Sequence, residues 1–344
     1  MEHPHYFAGG NTADGFYTCF EDILPRKKRK RMFYLKGGPG VGKSTLMRRA
    51  AAYAQGRGMR VELFHCSSDP DSLDGVCLPD QGLAMMDGTA PHTYDPVVPG
   101  ARDTLLALGD FLDEAALRPH ARDIEALQTQ ISGCFRRCYR YLSAARQVWL
   151  APDTGCLDPA KADNLAREIS ESLPLRGGRG TVRRLFASAY TPKGRVDVLN
   201  WAAVTHVTRL DCPFGRCPTA LLKRLSQLAV SRGLDVIELL NPLNPEEIDH
   251  LYLPDHDLAV CSGQRPAEDI TDWRNAEALF TLTDDKQLSF DRNAYELLLQ
   301  RAVEQLSAAK QLHDQLEAYY CGHMDFLKWQ TVLDRVLGEM AQFE

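Results

Sequence analysis

Nine consecutive residues carry the chemistry that stands out in this 344-residue sequence: Gly37-Gly38-Pro39-Gly40-Val41-Gly42-Lys43-Ser44-Thr45. The first eight match G-x-x-x-x-G-K-[ST], the pattern of a loop that cradles phosphates. Triphosphate oxygens need several backbone N–H donors at once, and glycines allow the close approach and positive φ that this requires. A helix starting at the loop adds free donors and a positive dipole end. Lys43 is placed to reach the β- and γ-phosphates as a mobile point charge, and the Ser44 hydroxyl is a hard oxygen ligand suited to Mg²⁺. Thr45 falls near the α-phosphate. Gly38 to Thr45 are thus the expected nucleotide-binding residues, and ATP with Mg²⁺ the expected ligands. No Asn-Lys-x-Asp guanine motif occurs in the chain, which favours ATP over GTP.

The flanks fit a loop of this kind. Met32-Phe33-Tyr34-Leu35 before it is a short apolar run suited to a buried strand, and Thr45 to Ala54 after it is rich in helix formers. Two acids join the list. Asp87 ends the apolar run Leu83-Ala84-Met85-Met86, as expected of a strand whose terminal Asp holds Mg²⁺, so Ser44 and Asp87 are the expected metal ligands. The run Arg60 to Phe64 reads as another strand, and His65-Cys66-Ser67-Ser68-Asp69-Pro70-Asp71 leaves its carboxyl end, where ligands of open sheets bind. Lys43, Asp69 and Asp87 are the expected catalytic residues, with Asp69 orienting the attacking water and His65 second in line. The competing role for Asp69 is to cap a helix starting near Pro70. His92 is expected to be a polar loop histidine.

The chain also matches itself. At an offset of 175, residues 35–86 align with 210–261 without a gap, and fifteen positions are identical, against about three expected from composition. Tyr6-Phe7-Ala8 likewise matches Leu185-Phe186-Ala187. In the second stretch the loop reads Cys212-Pro213-Phe214-Gly215-Arg216-Cys217-Pro218-Thr219. Pro218 replaces Lys43, and two prolines remove backbone donors, so this loop is not expected to hold a triphosphate. Asp74 persists as Asp249, which points to a role in the fold. His65, Cys66, Asp69 and Asp87 become Leu240, Asn241, Asn244 and Ser262, which points to function.

Long helical periodicity runs through 102–172, including Thr104 to Leu117 and Asp123 to Leu150, and through 274–282 and 292–342. These segments are expected to cover the nucleotide or pack the halves together. The six basic residues Arg26 to Arg31 read as a solvated run beside a phosphate site, since no aromatic platform accompanies them. The Gly/Arg-rich stretch Leu175 to Arg184 reads as the junction, with arginines that could supply a finger to the γ-phosphate.

Net charge is −6 and 44% of residues are hydrophobic. This balance gives no reason to expect nucleic-acid or membrane partners. No apolar run approaches a membrane span and the start lacks a signal-peptide pattern, so the cytoplasm is expected. The ten cysteines are scattered. Cys134/Cys138 and Cys212/Cys217 lack the second close pair that a zinc site needs.

The sequence resembles a family of bacterial proteins of about this length, described as P-loop ATPases or nucleotide-kinase-like proteins, with no settled substrate. The likeness rests on His5-Tyr6-Phe7-Ala8-Gly9-Gly10 with Gly15, on the phosphate loop, on His65 to Asp74, and on Asp87-Gly88-Thr89-Ala90-Pro91-His92. It implies nucleotide binding. In that family the second half also tends to carry a phosphate loop, which here is broken. The expected fold is α/β: two tandem P-loop NTPase-type domains, each a parallel sheet with flanking helices and a helical extension, the second degenerate. The expected boundaries are 1–178 and 179–344. The leading functional expectation is Mg²⁺-dependent ATP hydrolysis at one N-terminal site. A kinase using a small-molecule or nucleotide acceptor, and a nucleotide-gated protein that binds an unidentified protein partner, are the alternatives.

Overall fold

The computed structural model describes residues 4–90, 93–151, 157–200, 204–210, 212–262, 272–274, 279–280 and 287–343. His92 lies outside the described residues, as does most of the 274–282 segment.

The first half contributes β1 (His5–Phe7), a hairpin of β2 (Gly9–Thr12) and β3 (Gly15–Thr18), β4 (Arg31–Lys36), α1 (Lys43–Gln55), β5 (Glu62–Cys66), β6 (Asp69–Leu78), β7 (Leu83–Asp87) and β8 (Asp103–Ala107). Then come a short α2 (Glu114–Leu117), the long α3 (Ala121–Leu150) and α4 (Pro159–Glu171). The second half repeats this order with β9 (Val182–Leu185), hairpin β10 (Ser188–Thr191) and β11 (Gly194–Asp197), β12 (His206–Leu210), α5 (Thr219–Ser231), β13 (Val236–Leu240), β14 (Ile248–Leu253), β15 (Leu258–Ser262) and β16 (Asp272–Arg274). It ends in α6 (Leu288–Cys321) and α7 (Phe326–Met340).

The first sheet runs β1-β5-β6-β7-β4-β8, and the second, read from its other end, β9-β13-β14-β15-β12-β16. Each is mixed rather than wholly parallel. β6 lies antiparallel to both β5 and β7, and β14 to both β13 and β15. This corrects the expectation of a parallel sheet. The cause is local: only Ser67 and Ser68 separate β5 from β6, and so short a turn can only send the chain back beside the strand it leaves. The same turn removes the helix expected near Pro70, because Asp69 and Pro70 already belong to β6. Thr104 to Leu117 is likewise not one helix but β8, a 3₁₀ turn and α2.

Met32, Phe33, Tyr34 and Leu35 are all buried, as a central strand covered on both faces demands. Alternation sorts them. Phe33 and Leu35 face Leu46, Met47 and Ala50 of α1, while Met32 and Tyr34 face a core shared with the second half. The sheets meet at their edges, where Phe7 and Phe186 exchange reciprocal backbone hydrogen bonds of 2.9 and 3.0 Å.

The terminal helices are exchanged. α7, from the end of the chain, packs Trp329, Leu333, Val336 and Met340 against α1 and the first sheet. α4, from the first half, packs Ala162, Ala166 and Ile169 into the core with α5. Equivalent arginines fasten each exchange: Arg49 of α1 donates to Gln330 at 3.1 Å, and Arg224 of α5 to Asp163 at 2.6 Å. The boundary near residue 178 therefore separates the sheets but not the helices that cover them. α3 and α6 pair as a long arm; at about 1.5 Å per residue, α6 spans roughly 50 Å.

Candidate functional site

β4 ends at Lys36 and α1 begins at Lys43, so the loop between them lies at the carboxyl end of a central strand. Gly40 and Gly42 take positive φ of 72° and 82°, a region that other residues adopt at a cost of about 1–2 kcal/mol. Val41 turns its side chain into the core. The loop thus presents its backbone rather than side chains, with Pro39 the one residue lacking an N–H donor. Lys43 Nζ donates to the carbonyls of Gly37 at 2.7 Å and Gly38 at 2.9 Å, and stands 3.6 Å from Asp87 Oδ2. Ser44 Oγ accepts from Leu73 N of β6 at 2.9 Å, which leaves it a lone pair for a cation.

Asp87 is the last residue of β7 and pairs with Leu35 across the parallel ladder, which sets it beside the loop. Thr89 N donates to Asp87 Oδ1 at 2.8 Å, and the Thr89 hydroxyl donates to Gly37 O at 3.0 Å, joining the acid to the loop. The antiparallel sense of β6 brings its first residue, Asp69, to this same sheet edge. Asp69 accepts from Ser72 at 2.9 Å and lies 3.6 Å from Lys310 Nζ on α6. Lys43 and Asp87 therefore meet directly, Ser44 follows Lys43 on the first turn of α1, and Asp69 pairs instead with Lys310. His65 is turned away into a chain of contacts with His5 Nδ1 (2.7 Å) and Pro70 O (2.7 Å), and burial pushes its pKa down.

Asp74 belongs to the site although its persistence at Asp249 had pointed to the fold alone. Burial lifts its carboxyl to about 8; Asp87 and Asp69 add to the rise, while the Cys66 hydrogen bond and Lys43 offset part of it. Its surroundings differ from those of Asp249, which accepts from Asn241 at 2.9 Å and Cys217 at 3.3 Å and meets Arg195 at 3.5 Å. An unchanged residue among changed neighbours hides from a self-comparison.

Four more contributors were illegible in the sequence because they come from far along the chain. A Cβ at Gly42 would meet Trp329 Nε1 at 2.8 Å. One at Gly40 would meet Cys321 Sγ at 2.7 Å and Glu317 Cγ at 3.1 Å, and the Tyr320 ring lies against Gly38. α6 and α7 thus close over the loop. His313, Asp314 and Glu317 of α6 bring ligand atoms within 4.8 Å of one another. Lys310 already holds Asp314 at 2.5 Å, so an ammonium neutralises the acidic side of that group.

Two expectations about cations change. The basic run precedes β4, so it lies at the opposite end of that strand from the phosphate loop, roughly 20 Å away for six residues. There Arg26 and Arg29 pair with Glu21, Lys28 with Asp235, and Arg31 with Glu339. Three of the four junction arginines are also engaged elsewhere. Arg176 pairs with Asp255, Arg184 with Glu238, and Arg183 with Glu62 at the start of β5.

Comparison with family models, curated proteins and solved structures finds no match to the chain. Among the described residues, no helix is long and apolar enough to cross a membrane.

Proposed function

We propose that this chain binds ATP with Mg²⁺ at the Gly37–Thr45 loop and hydrolyses it there. The observation that carries the reading is Lys43 at the start of α1, 3.6 Å from Asp87, on a loop whose glycines take the φ values a phosphate cradle needs. The loop amides and Lys43 would bind the phosphates and meet the charge that develops as phosphoryl leaves. Ser44 and Asp87 would hold Mg²⁺, which supplies charge neutralisation when bound. Asp69 would accept a hydrogen bond from the attacking water. A cytoplasmic setting, where thiols stay reduced, suits the scattered cysteines. Nucleic acid is not proposed as a partner, since four of the six residues of the basic run are paired with acids of the chain itself.

The second half is proposed to be a degenerate copy of the first, so each chain holds one nucleotide. Support comes from the shared strand order, the reciprocal Phe7–Phe186 bridge and a repeated hydrogen bond. Thr219 Oγ1 accepts from Ile248 N at 2.9 Å, as Ser44 Oγ does from Leu73 N. One observation also favours the nucleotide-gated reading: α6 and α7 touch Gly38, Gly40 and Gly42, so occupancy of the loop can bias how the halves pack.

Equilibrium binding of ATP and phosphate release, each with Mg²⁺, test the proposal. We expect one ATP per chain, with Lys43→Ala and Asp87→Asn each lowering turnover by about 10²–10³-fold. Wild-type protein that binds no ATP, or turnover unchanged by Lys43→Ala, would sink it. Binding without phosphate release would turn the search to a phosphoryl acceptor or a protein partner.

A further inference from the structure

We propose that Lys310, carried by α6 from the second half, is the cation that binds the γ-phosphate of ATP as its bond breaks. The inference rests on the ATP site proposed above and names the residue that completes it.

The placement of α6 is the ground for this. Lys310, His313, Asp314, Glu317, Tyr320 and Cys321 are spaced to fall on one helix face. The end of that face lies on the phosphate loop, where Glu317 and Cys321 meet Gly40 and Tyr320 meets Gly38. Seven residues earlier, Lys310 reaches Asp69. The loop follows β4, Asp87 ends β7 and Asp69 begins β6, and these strands are neighbours in that order. Two strand spacings come to roughly 10 Å, and seven residues of helix rise about 10 Å. α6 therefore crosses the sheet edge from the phosphate loop to the acid proposed to orient water, with Lys43 and Asp87 beneath it.

Lys310 holds its charge in this setting. Burial pulls its pKa down, but the hydrogen bond to Asp314 and the charges of Asp69, Asp314 and Glu317 outweigh this and leave it raised. An ammonium has three donors, so the group resting on Asp69 and Asp314 has a bond left for a phosphate oxygen. The γ-phosphate would then lie between Lys43 from below and Lys310 from above. Water oxygen bonds to the γ-phosphorus while the bond from phosphorus to the β–γ bridging oxygen breaks. That electron pair stays on ADP, and the proton of the water passes through Asp69 to solvent. The charge spreading over the transferring group is what Lys310 meets. Arg48, on the second turn of α1, is the rival cation; its field reaches His65 and Asp71.

The test compares wild type, Lys310→Ala, Lys310→Arg and Arg48→Ala for MgATP binding, phosphate release, and retention of ADP with Mg²⁺ and aluminium fluoride. We expect Lys310→Ala to bind MgATP within about threefold of wild type, because a group acting on the transition state contributes little to ground-state binding. It should lose at least about a hundredfold in phosphate release and fail to retain ADP–aluminium fluoride, with Lys310→Arg recovering part of both. Retained binding in Lys310→Ala shows that the fold is intact. Release and trapping unchanged in Lys310→Ala, or lost in Arg48→Ala instead, would overturn the assignment. So would wild-type protein that binds ATP but neither releases phosphate nor traps ADP, and that outcome leaves the binding site standing. Wild-type protein that binds no ATP removes both readings together.

Discussion

The two loops at the starts of α1 and α5 occupy equivalent places in sheets of the same strand order, yet they are finished differently. In the first, Gly42 at a φ of 82° precedes a helix that begins on Lys43. In the second, Pro218 stands in the place of Lys43 and the helix begins one residue later, on Thr219. Gly215 keeps the positive φ of Gly40, at 80°, so the path of the chain is partly preserved. What has gone is donors and charge. Pro213 and Pro218 lack N–H groups, and the position of Lys43 is taken by Pro218. An acid fills the gap: the Thr219 hydroxyl donates to Glu247, whereas the equivalent position beside Ser44 is Ser72. Cys217 and Asn241 donate to Asp249, and Arg195 stands beside it, whereas Asp74 is buried in the field of two other carboxylates, Asp87 and Asp69. In the second loop Cys217 and Thr219 pair with acids, whereas in the first Lys43 rests on the carbonyls of Gly37 and Gly38 beside Asp87. The two loops share part of a backbone path, at Gly40 and Gly215, while differing in the side chains that line it.

Three measurements break or sharpen that contrast, in order of expected size. Trp329 is 4% exposed and belongs to the core of the first sheet although it comes from the end of the chain. Trp329→Ala should cost about 3–5 kcal/mol of stability, read as a lower urea midpoint. A cost below about 1 kcal/mol would mean that the first sheet does not depend on the exchanged helix. Next come the equivalent positions Gly42 and Cys217. Gly42→Ala puts a Cβ 2.8 Å from Trp329 Nε1 at a positive φ, and should cost about 2 kcal/mol or more. Cys217→Ala gives up two weak hydrogen bonds, to Asp249 and from Asn241, and should cost about 1 kcal/mol. Equal losses in urea titrations would show that the two loops are under the same constraint.

The smallest effect is in pH. The folded-state pKa of Asp74 lies at about 8, above the ordinary 3.8. The stability it contributes is full below the ordinary value and is lost as pH rises through about 8, because the unfolded carboxyl ionises first. Without nucleotide, Asp74→Asn should therefore raise Tm at pH 8 and flatten the fall of Tm between pH 5 and pH 8. Asp249→Asn, which removes an acid with an arginine and two donors around it, should lower Tm at pH 8. Melting curves of the same sign for both variants would refute the contrast.

Much of the site was legible because it is local. Gly37 to Thr45 lie within a few residues of one another, and the geometry they need is set by glycine backbone freedom and a helix start. Leu83 to Asp87 announced a buried strand ending in an acid by burial pattern alone. The long helices α3 and α6 followed from periodicity. The comparison of residues 35–86 with 210–261 marked which loop had lost its lysine and glycines.

The rest depends on contacts that no local pattern encodes. A two-residue turn set β6 against its neighbours and delivered Asp69 to the edge as the start of a strand, not as a helix cap. Asp74 looked structural by identity, and only its neighbours Asp87 and Lys43 make it part of the site. Lys310, Glu317 and Trp329 read as members of an arm and a core helix. Glu317 and Trp329 reach the Gly37–Thr45 loop, and Lys310 reaches Asp69, because α7 crosses to the first sheet, and nothing in a helical period states which sheet its apolar face will cover. Sequence by itself determined the glycine-rich loop between a buried strand and a helix, the order of the central elements and which of the two loops carries a lysine, because short-range geometry decides them. The tertiary structure alone decided which residues close over that loop, because the exchange of α4 and α7 is settled by packing between segments up to about three hundred residues apart.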